Sequence, residues 1–122
     1  KWVKWAHICL SEAVQKNELN FFNKVLTGLI ATGDKFIAKK TSLAKISEEL
    51  PDLYAIEMEG AAVAQVAVQE EVPWLIVRVI SDEADDSASQ DFTDFLKNYQ
   101  NYSWNLIKTL LIRIKDAPWD KN

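Results

Sequence analysis

A chain of 122 residues, 48% hydrophobic and 26% charged, is long enough for one small domain and has the composition of a globular protein rather than a disordered one. Its formal net charge of -4 supplies no basic patch, which argues against a nucleic-acid partner. The single cysteine, Cys9, excludes an internal disulfide and leaves no readable zinc site or CxxC redox pair. No apolar run reaches the ~18 residues of a membrane span, and no signal-like start is present, so neither membrane insertion nor secretion is expected and the setting is read as cytoplasmic. The sequence opens at Lys1, without an initiator Met, on residues that already read as mid-helix; the expectation is a fragment or a processed piece.

Residues 2 to 16 predict a first helix. Trp2, Val3, Trp5, Ala6, Cys9, Leu10, Ala13 and Val14 fall mostly on one broad stripe, with Lys4, Glu12 and Lys16 outside it. Asn17-Glu18-Leu19-Asn20 is the expected stop. Lys24 to Thr32 is β-branched and apolar in the manner of a buried strand, and Gly33-Asp34 breaks it. Thr41 or Ser42 is expected to cap a short helix to about Leu50, with Leu43, Ile46 and Leu50 facing inward, ended by Pro51-Asp52. A strand over 53–58 and a helix from about Glu59 to Glu70 follow. The small residues Ala61, Ala62 and Ala64 would let that helix approach a sheet or a ligand closely. Val72-Pro73 turns into Trp74 to Ile80, apolar on both faces except at Arg78, which predicts a third strand. Residues 81–90 make an acidic, polar loop. A long helix from about Gln90 to Lys115 carries Phe92, Leu96, Tyr99, Leu106, Leu110 and Ile114 at helical spacing, and Pro118 leaves a loose tail.

This alternation implies an α/β fold, three-layer α/β/α with a mostly parallel central sheet. Three strands make a thin sheet with two open edges, so residues 1–122 are expected to form a single partial domain.

The candidate chemistry is concentrated from Tyr54 to Asp85, because open α/β sheets hold ligands just beyond the carboxyl ends of their strands. Glu57 and Glu59, two apart on a strand, face one side. Glu59 would also sit at the positive end of the following helix, and spacing alone leaves a site acid and a capping acid equally open. Arg78, inside an apolar run, needs a carboxylate partner or a place at the edge of a site. Ser81-Asp82 reads either as a site pair or as a plain turn. The segment Gly28-Leu-Ile-Ala-Thr-Gly33-Asp34-Lys35 is not a phosphate loop: there Lys follows the second Gly directly, whereas here Asp34 intervenes and would repel phosphate. His7, the only histidine, has no visible triad or metal partners and is expected to be structural, at the surface or partly buried. The formal sequon Asn101-Tyr102-Ser103 lies inside a predicted helix and carries no weight.

Three ordered blocks carry a resemblance: Gly28 to Ile37 (GLIATGDKFI), Glu57 to Val66 (EMEGAAVAQV) and Val72 to Asp85 (VPWLIVRVISDEAD), with Asp91 to Leu96 (DFTDFL) in addition. They resemble the carboxyl-terminal half of the 5'-methylthioadenosine/S-adenosylhomocysteine nucleosidases, members of the purine nucleoside phosphorylase superfamily. The resemblance implies hydrolysis of the N-glycosidic bond with release of adenine, a role in methionine salvage, a homodimer, and no cofactor or metal. It implies that Phe36 stacks on adenine, that the backbone at Ile37 bonds the purine edge, that Met58 packs against the ribose with Glu57 beside it, and that Glu59 accepts from the ribose hydroxyls. Asp82 would protonate or hold N7 of the leaving adenine with Ser81 supporting it, and Arg78 would help to hold the attacking water.

These roles agree with elementary chemistry. Adenine leaves poorly as an anion, so an acid at N7 is needed, and positive charge building on the ribose calls for a nearby carboxylate. Relatives of this kind are about twice this length; their amino-terminal half supplies a water-activating glutamate with which neither Glu12 nor Glu18 can be aligned. The chain alone is therefore expected to be inactive or nearly so. A phosphorylase using phosphate, and a non-catalytic remnant that keeps the purine pocket, are the competing readings. The group at the ribose 5' position stays open among methylthioadenosine, adenosylhomocysteine, 5'-deoxyadenosine and a futalosine-like nucleoside.

Overall fold

The computed structural model describes residues 1–82 and 88–119. Its elements run α1 (Trp2–Gln15), β1 (Leu29–Thr32), α2 (Lys40–Glu49), β2 (Leu53–Glu57), α3 (Gly60–Gln69) and α4 (Ala88–Ile112), then a single 3₁₀ turn, Ile114–Asp116. The chain divides into two compact units, Lys1–Thr27 with Lys97–Asn122, and Gly28–Leu96.

In the first unit α1 buries Ala6, Cys9, Leu10 and Ala13, the stripe expected at this spacing. The helix stops because Asn17 takes a left-handed backbone (φ 60°). The Glu18 N–H then returns to the Ala13 carbonyl at 2.9 Å and the Asn17 N–H to the Val14 carbonyl at 3.0 Å, a Schellman closure that satisfies two end carbonyls. Leu19 and Ala117 join the buried set. Burial pushes the Cys9 thiol above its ordinary pKa, since a thiolate there would lose its water. Glu12 accepts from Arg113 Nη1 at 2.7 Å, and Phe21 stacks on Tyr102 with centroids 3.5 Å apart. His7 is half-buried with Nε2 3.3 Å from the Val25 carbonyl, the structural role expected of it. The tail is tethered at Trp119, contrary to expectation, although that side chain stays more than half exposed: its indole N–H donates to the Ile114 carbonyl at 2.8 Å and its ring meets Trp2 edge-on at 5.0 Å. Pro118 ends the helical hydrogen bonding, but the apolar ring beyond it still finds aromatic surface.

In the second unit β1 and β2 pair in parallel, Ile30 opposite Ala55, Ala31 opposite Ile56 and Thr32 opposite Glu57, with α2 in the crossover that parallel neighbours require. Gly28 is needed just before the ladder, since a Cβ there would lie 2.3 Å from the Tyr54 ring. Three expectations are corrected here. The strand predicted over 24–32 is only Leu29–Thr32, because β2 begins opposite Leu29 and the Pro51-Asp52 step before it offers no ladder. The helix predicted to be capped by Thr41 or Ser42 starts at Lys40, with Lys39 as N-cap accepting from the Ser42 and Leu43 amides at 3.0 and 3.1 Å. Leu43 and Ile46 are half-buried, while Leu50 at its end is exposed. Trp74 to Ile80 forms no strand: apolar character alone does not make one without a neighbour to share hydrogen bonds, and among the described residues the sheet has two strands. The α/β class with a parallel sheet stands.

α3 closes as α1 does. Glu71 is left-handed (φ 53°), with its own N–H on the Val68 carbonyl at 3.2 Å and the Val72 N–H on the Ala67 carbonyl at 2.8 Å. Among the described residues every buried apolar side chain lies in the first unit; in the second only Gly60 is buried.

Candidate functional site

The carboxyl ends of β1 and β2 lie side by side, so Thr32 and Glu57 finish their strands together, and α3 begins three residues later. That places a helix N-terminus, with its unpaired amides, directly against the strand ends. Glu57 takes the position. Its side chain is 8% exposed, and its two oxygens accept from the Gly60 N–H at 2.9 and 2.7 Å and from the Glu59 N–H at 3.1 Å. The Thr32 hydroxyl donates to Oε1 and Arg78 Nη2 to Oε2. Gly60 permits this approach, because a Cβ there would meet Glu57 Oε1 at 2.7 Å. The sequence reading gave the positive end of the helix to Glu59; the carboxylate that occupies it is that of Glu57. Glu59 is the N-cap residue, but its side chain makes no capping bond and is 69% exposed.

Arg78 is held between the two acids, its Nη2 also donating to Glu59 Oε2 at 2.8 Å. The charge inside an apolar run thus has carboxylate partners, although the Arg78 side chain itself stays about one-third exposed. Ser81 Oγ donates to Asp82 Oδ2 at 2.6 Å. Met58, between the two acids, is exposed, and Ile37 is half-buried. Phe36, half exposed, meets Phe92 with centroids 6.2 Å apart and planes at 60°. Of the predicted residues, the structure brings Glu57, Glu59 and Arg78 into one contact group, joins Ser81 to Asp82, and leaves Phe36, Ile37 and Met58 with accessible surface. Residues 83–85 of the third block lie outside the described residues.

Thr32 was not singled out from the sequence. The rule that drew attention to Glu57, a polar residue at the carboxyl end of a strand, applies equally to it. Its place in a glycine-flanked segment that superficially resembles a phosphate loop obscures that signal. Among the described residues no group of three His, Cys, Asp or Glu side chains is arranged to hold a metal, and no helix is long and apolar enough to cross a membrane.

Residues 4–112 match the model of the phosphorylase superfamily. The chain belongs to that superfamily. This superfamily member is 40% identical over 110 residues to the 5'-methylthioadenosine/S-adenosylhomocysteine nucleosidase of Bacillus cereus (strain G9842), across 90% of this chain and 47% of that protein. It spans about half the length of the curated relatives it matches. Among solved structures it is similar to the nucleosidase of the same name from Colwellia psychrerythraea in complex with adenine (TM-score 0.69, 36% identity, 86% of this chain and 44% of that one). It is also similar to the futalosine hydrolase of Helicobacter pylori (TM-score 0.66, 34% identity, 85% and 45%). Likeness at this level places the superfamily's α/β fold on most of this chain.

Proposed function

We propose that the chain is the carboxyl-terminal half of a single nucleosidase domain and carries part of a site that hydrolyses the N-glycosidic bond of 5'-methylthioadenosine or S-adenosylhomocysteine, releasing adenine. The observation that carries this reading is Arg78 held between Glu57 and Glu59 beyond the ends of paired parallel strands, in a chain 40% identical to a nucleosidase. Glu59, the more exposed of the two acids, is the one with an oxygen to offer ribose hydroxyls and the positive charge that develops on the sugar. Glu57 is saturated by protein donors, so it acts beside the ribose by holding its neighbours. Arg78 would orient water, Asp82 with Ser81 would serve N7 of the leaving base, Phe36 would stack on adenine with the Ile37 backbone at its edge, and Met58 would cover the ribose. No cofactor is invoked. A cytoplasmic homodimer belongs to the same proposal, on family likeness alone.

The test joins this chain to the amino-terminal half of the Bacillus cereus nucleosidase and measures adenine release from methylthioadenosine. Release without added phosphate is expected, with Asp82→Asn slowing it about 100-fold or more, the range for loss of a general acid. A strict need for phosphate would replace this reading with a phosphorylase. The 122 residues alone are expected to turn over little or nothing. Turnover by them near that of whole relatives would show that no second half is needed, and adenine binding without turnover in the joined protein would point to a remnant pocket.

A further inference from the structure

We propose that Thr32 is a positioning residue of this site, its hydroxyl acting through Glu57 to fix where the Arg78 guanidinium lies. The functional consequence rests on the nucleosidase reading above; the geometry does not. Thr32 ends β1 directly opposite Glu57. Its hydroxyl donates to Glu57 Oε1 and accepts the Ala61 N–H at 2.9 Å. A carboxylate can only accept and an amide N–H can only donate, so the hydroxyl's one donor and one of its two acceptor lone pairs are committed and its proton has one direction to point. The β-branched side chain, stiff about its first torsion, carries that hydroxyl to the place.

Glu57 passes the constraint on. Oε1 takes Thr32 and the Gly60 amide, while Oε2 takes the Glu59 and Gly60 amides and Arg78. Contacts on both oxygens set the plane of the carboxylate, and Arg78 Nη2, which spans Glu57 Oε2 and Glu59 Oε2, follows it. Without the hydroxyl, Oε1 loses its side-chain donor and the Ala61 amide its acceptor. The Gly60 and Glu59 amides still hold the carboxylate, but with its side-chain donor gone its plane can tilt, and the Arg78–Glu59 spacing shifts with it. That spacing is what ribose and water would meet.

The 122-residue chain and its Thr32→Val, Thr32→Ser and Glu57→Gln variants separate this from a simple helix cap. Nitrogen-15 NMR of the Arg78 guanidinium reads the position directly. Resolved, slowly exchanging Nη protons are expected in the parent and in Thr32→Ser, and averaged protons exchanging about 10-fold faster in Thr32→Val and Glu57→Gln, as loss of one hydrogen bond to a charged group implies. If Thr32→Val exposes the Ala61 amide yet leaves the Arg78 signals unchanged, Thr32 is only a cap and the proposal is overturned. Should Thr32→Val not fold, Thr32→Ala is read by the same criteria. Calorimetry with adenine and with methylthioadenosine supplies the second readout: Thr32→Val should lose the preference for the nucleoside while keeping its affinity for adenine, and Thr32→Ser should keep both. A preference unchanged in Thr32→Val also overturns the proposal. If the parent chain binds neither ligand, the same calorimetry is read on the protein joined to the amino-terminal half; absence of binding there sinks the nucleosidase reading, and the Arg78 signals still decide the role of Thr32.

Discussion

Gly60 shows how one missing methyl group organises the site. As the first residue of α3 it would gain about 1 kcal/mol of helix propensity from a change to Ala. Against this, the added Cβ would sit 2.7 to 3.1 Å from the three terminal atoms of a Glu57 carboxyl group that Thr32 and Arg78 also hold. Moving that group aside costs about one hydrogen bond to a charged and nearly buried acceptor, worth about 1.5–3 kcal/mol. The second effect wins. Gly60→Ala is expected to destabilise the protein by about 1–2 kcal/mol, net of the helical gain, measured as a lower urea midpoint with an unchanged slope. Only part of this was legible in the sequence. Glu57 and Glu59 stood out as acids at a strand end, and Arg78 as a charge in need of a partner. Which acid takes the helix terminus depends on a reach of a few ångströms, which spacing cannot resolve. Thr32 is readable as a polar residue at a strand end, but its role is not, since its partners Glu57 and Ala61 come from elements far along the chain.

At the scale of elements, helices were read more closely than strands. The apolar stripe of α1 and its stop at Asn17 follow from local periodicity and a residue that tolerates a left-handed backbone. α3 uses the same closure with Glu71, a residue that pays for a positive φ (53°) with steric strain of roughly 1 kcal/mol relative to glycine. Glu71→Gly should therefore raise stability by about 0.5–1 kcal/mol, seen as an increase of about 2–5 °C in thermal midpoint, whereas Asn17→Gly should change it much less. A fall in midpoint for Glu71→Gly would mean that the side chain makes a contact outweighing the strain. Strands fared worse because a strand exists only by its neighbour. Trp74 to Ile80 has the composition of a buried strand and takes no ladder, and Lys24 to Gly28 loses its pairing because β2 starts only at Leu53. The tail shows the reverse: Pro118 stops a helix, yet Trp119 is anchored by contacts that sequence order does not reveal.

At the scale of the whole molecule, apolar burial is uneven. The buried apolar set among the described residues, Ala6, Cys9, Leu10, Ala13, Leu19 and Ala117, belongs to the first unit, while Val63, Val66 and Val68 of α3 and Leu29 of β1 stay more than two-fifths exposed. Local opening follows burial, so native-state hydrogen exchange should find α1 amides such as Cys9 and Leu10 protected well above those of β1 and β2. Equal protection in the two sets would contradict this. By itself the sequence determined the superfamily, the parallel α/β class, the helices and the acids, because blocks of motif, 3.6-residue periodicity and helix stop signals are all local properties of a chain. Only the tertiary structure decided that Glu57 and not Glu59 closes the α3 terminus, that Arg78 bridges both, and that Thr32 takes part. The first is a matter of side-chain reach over two or three residues, which spacing cannot resolve; the other two depend on groups 19 to 29 residues apart meeting within hydrogen-bond distance, and such meetings are fixed by strand register and crossover.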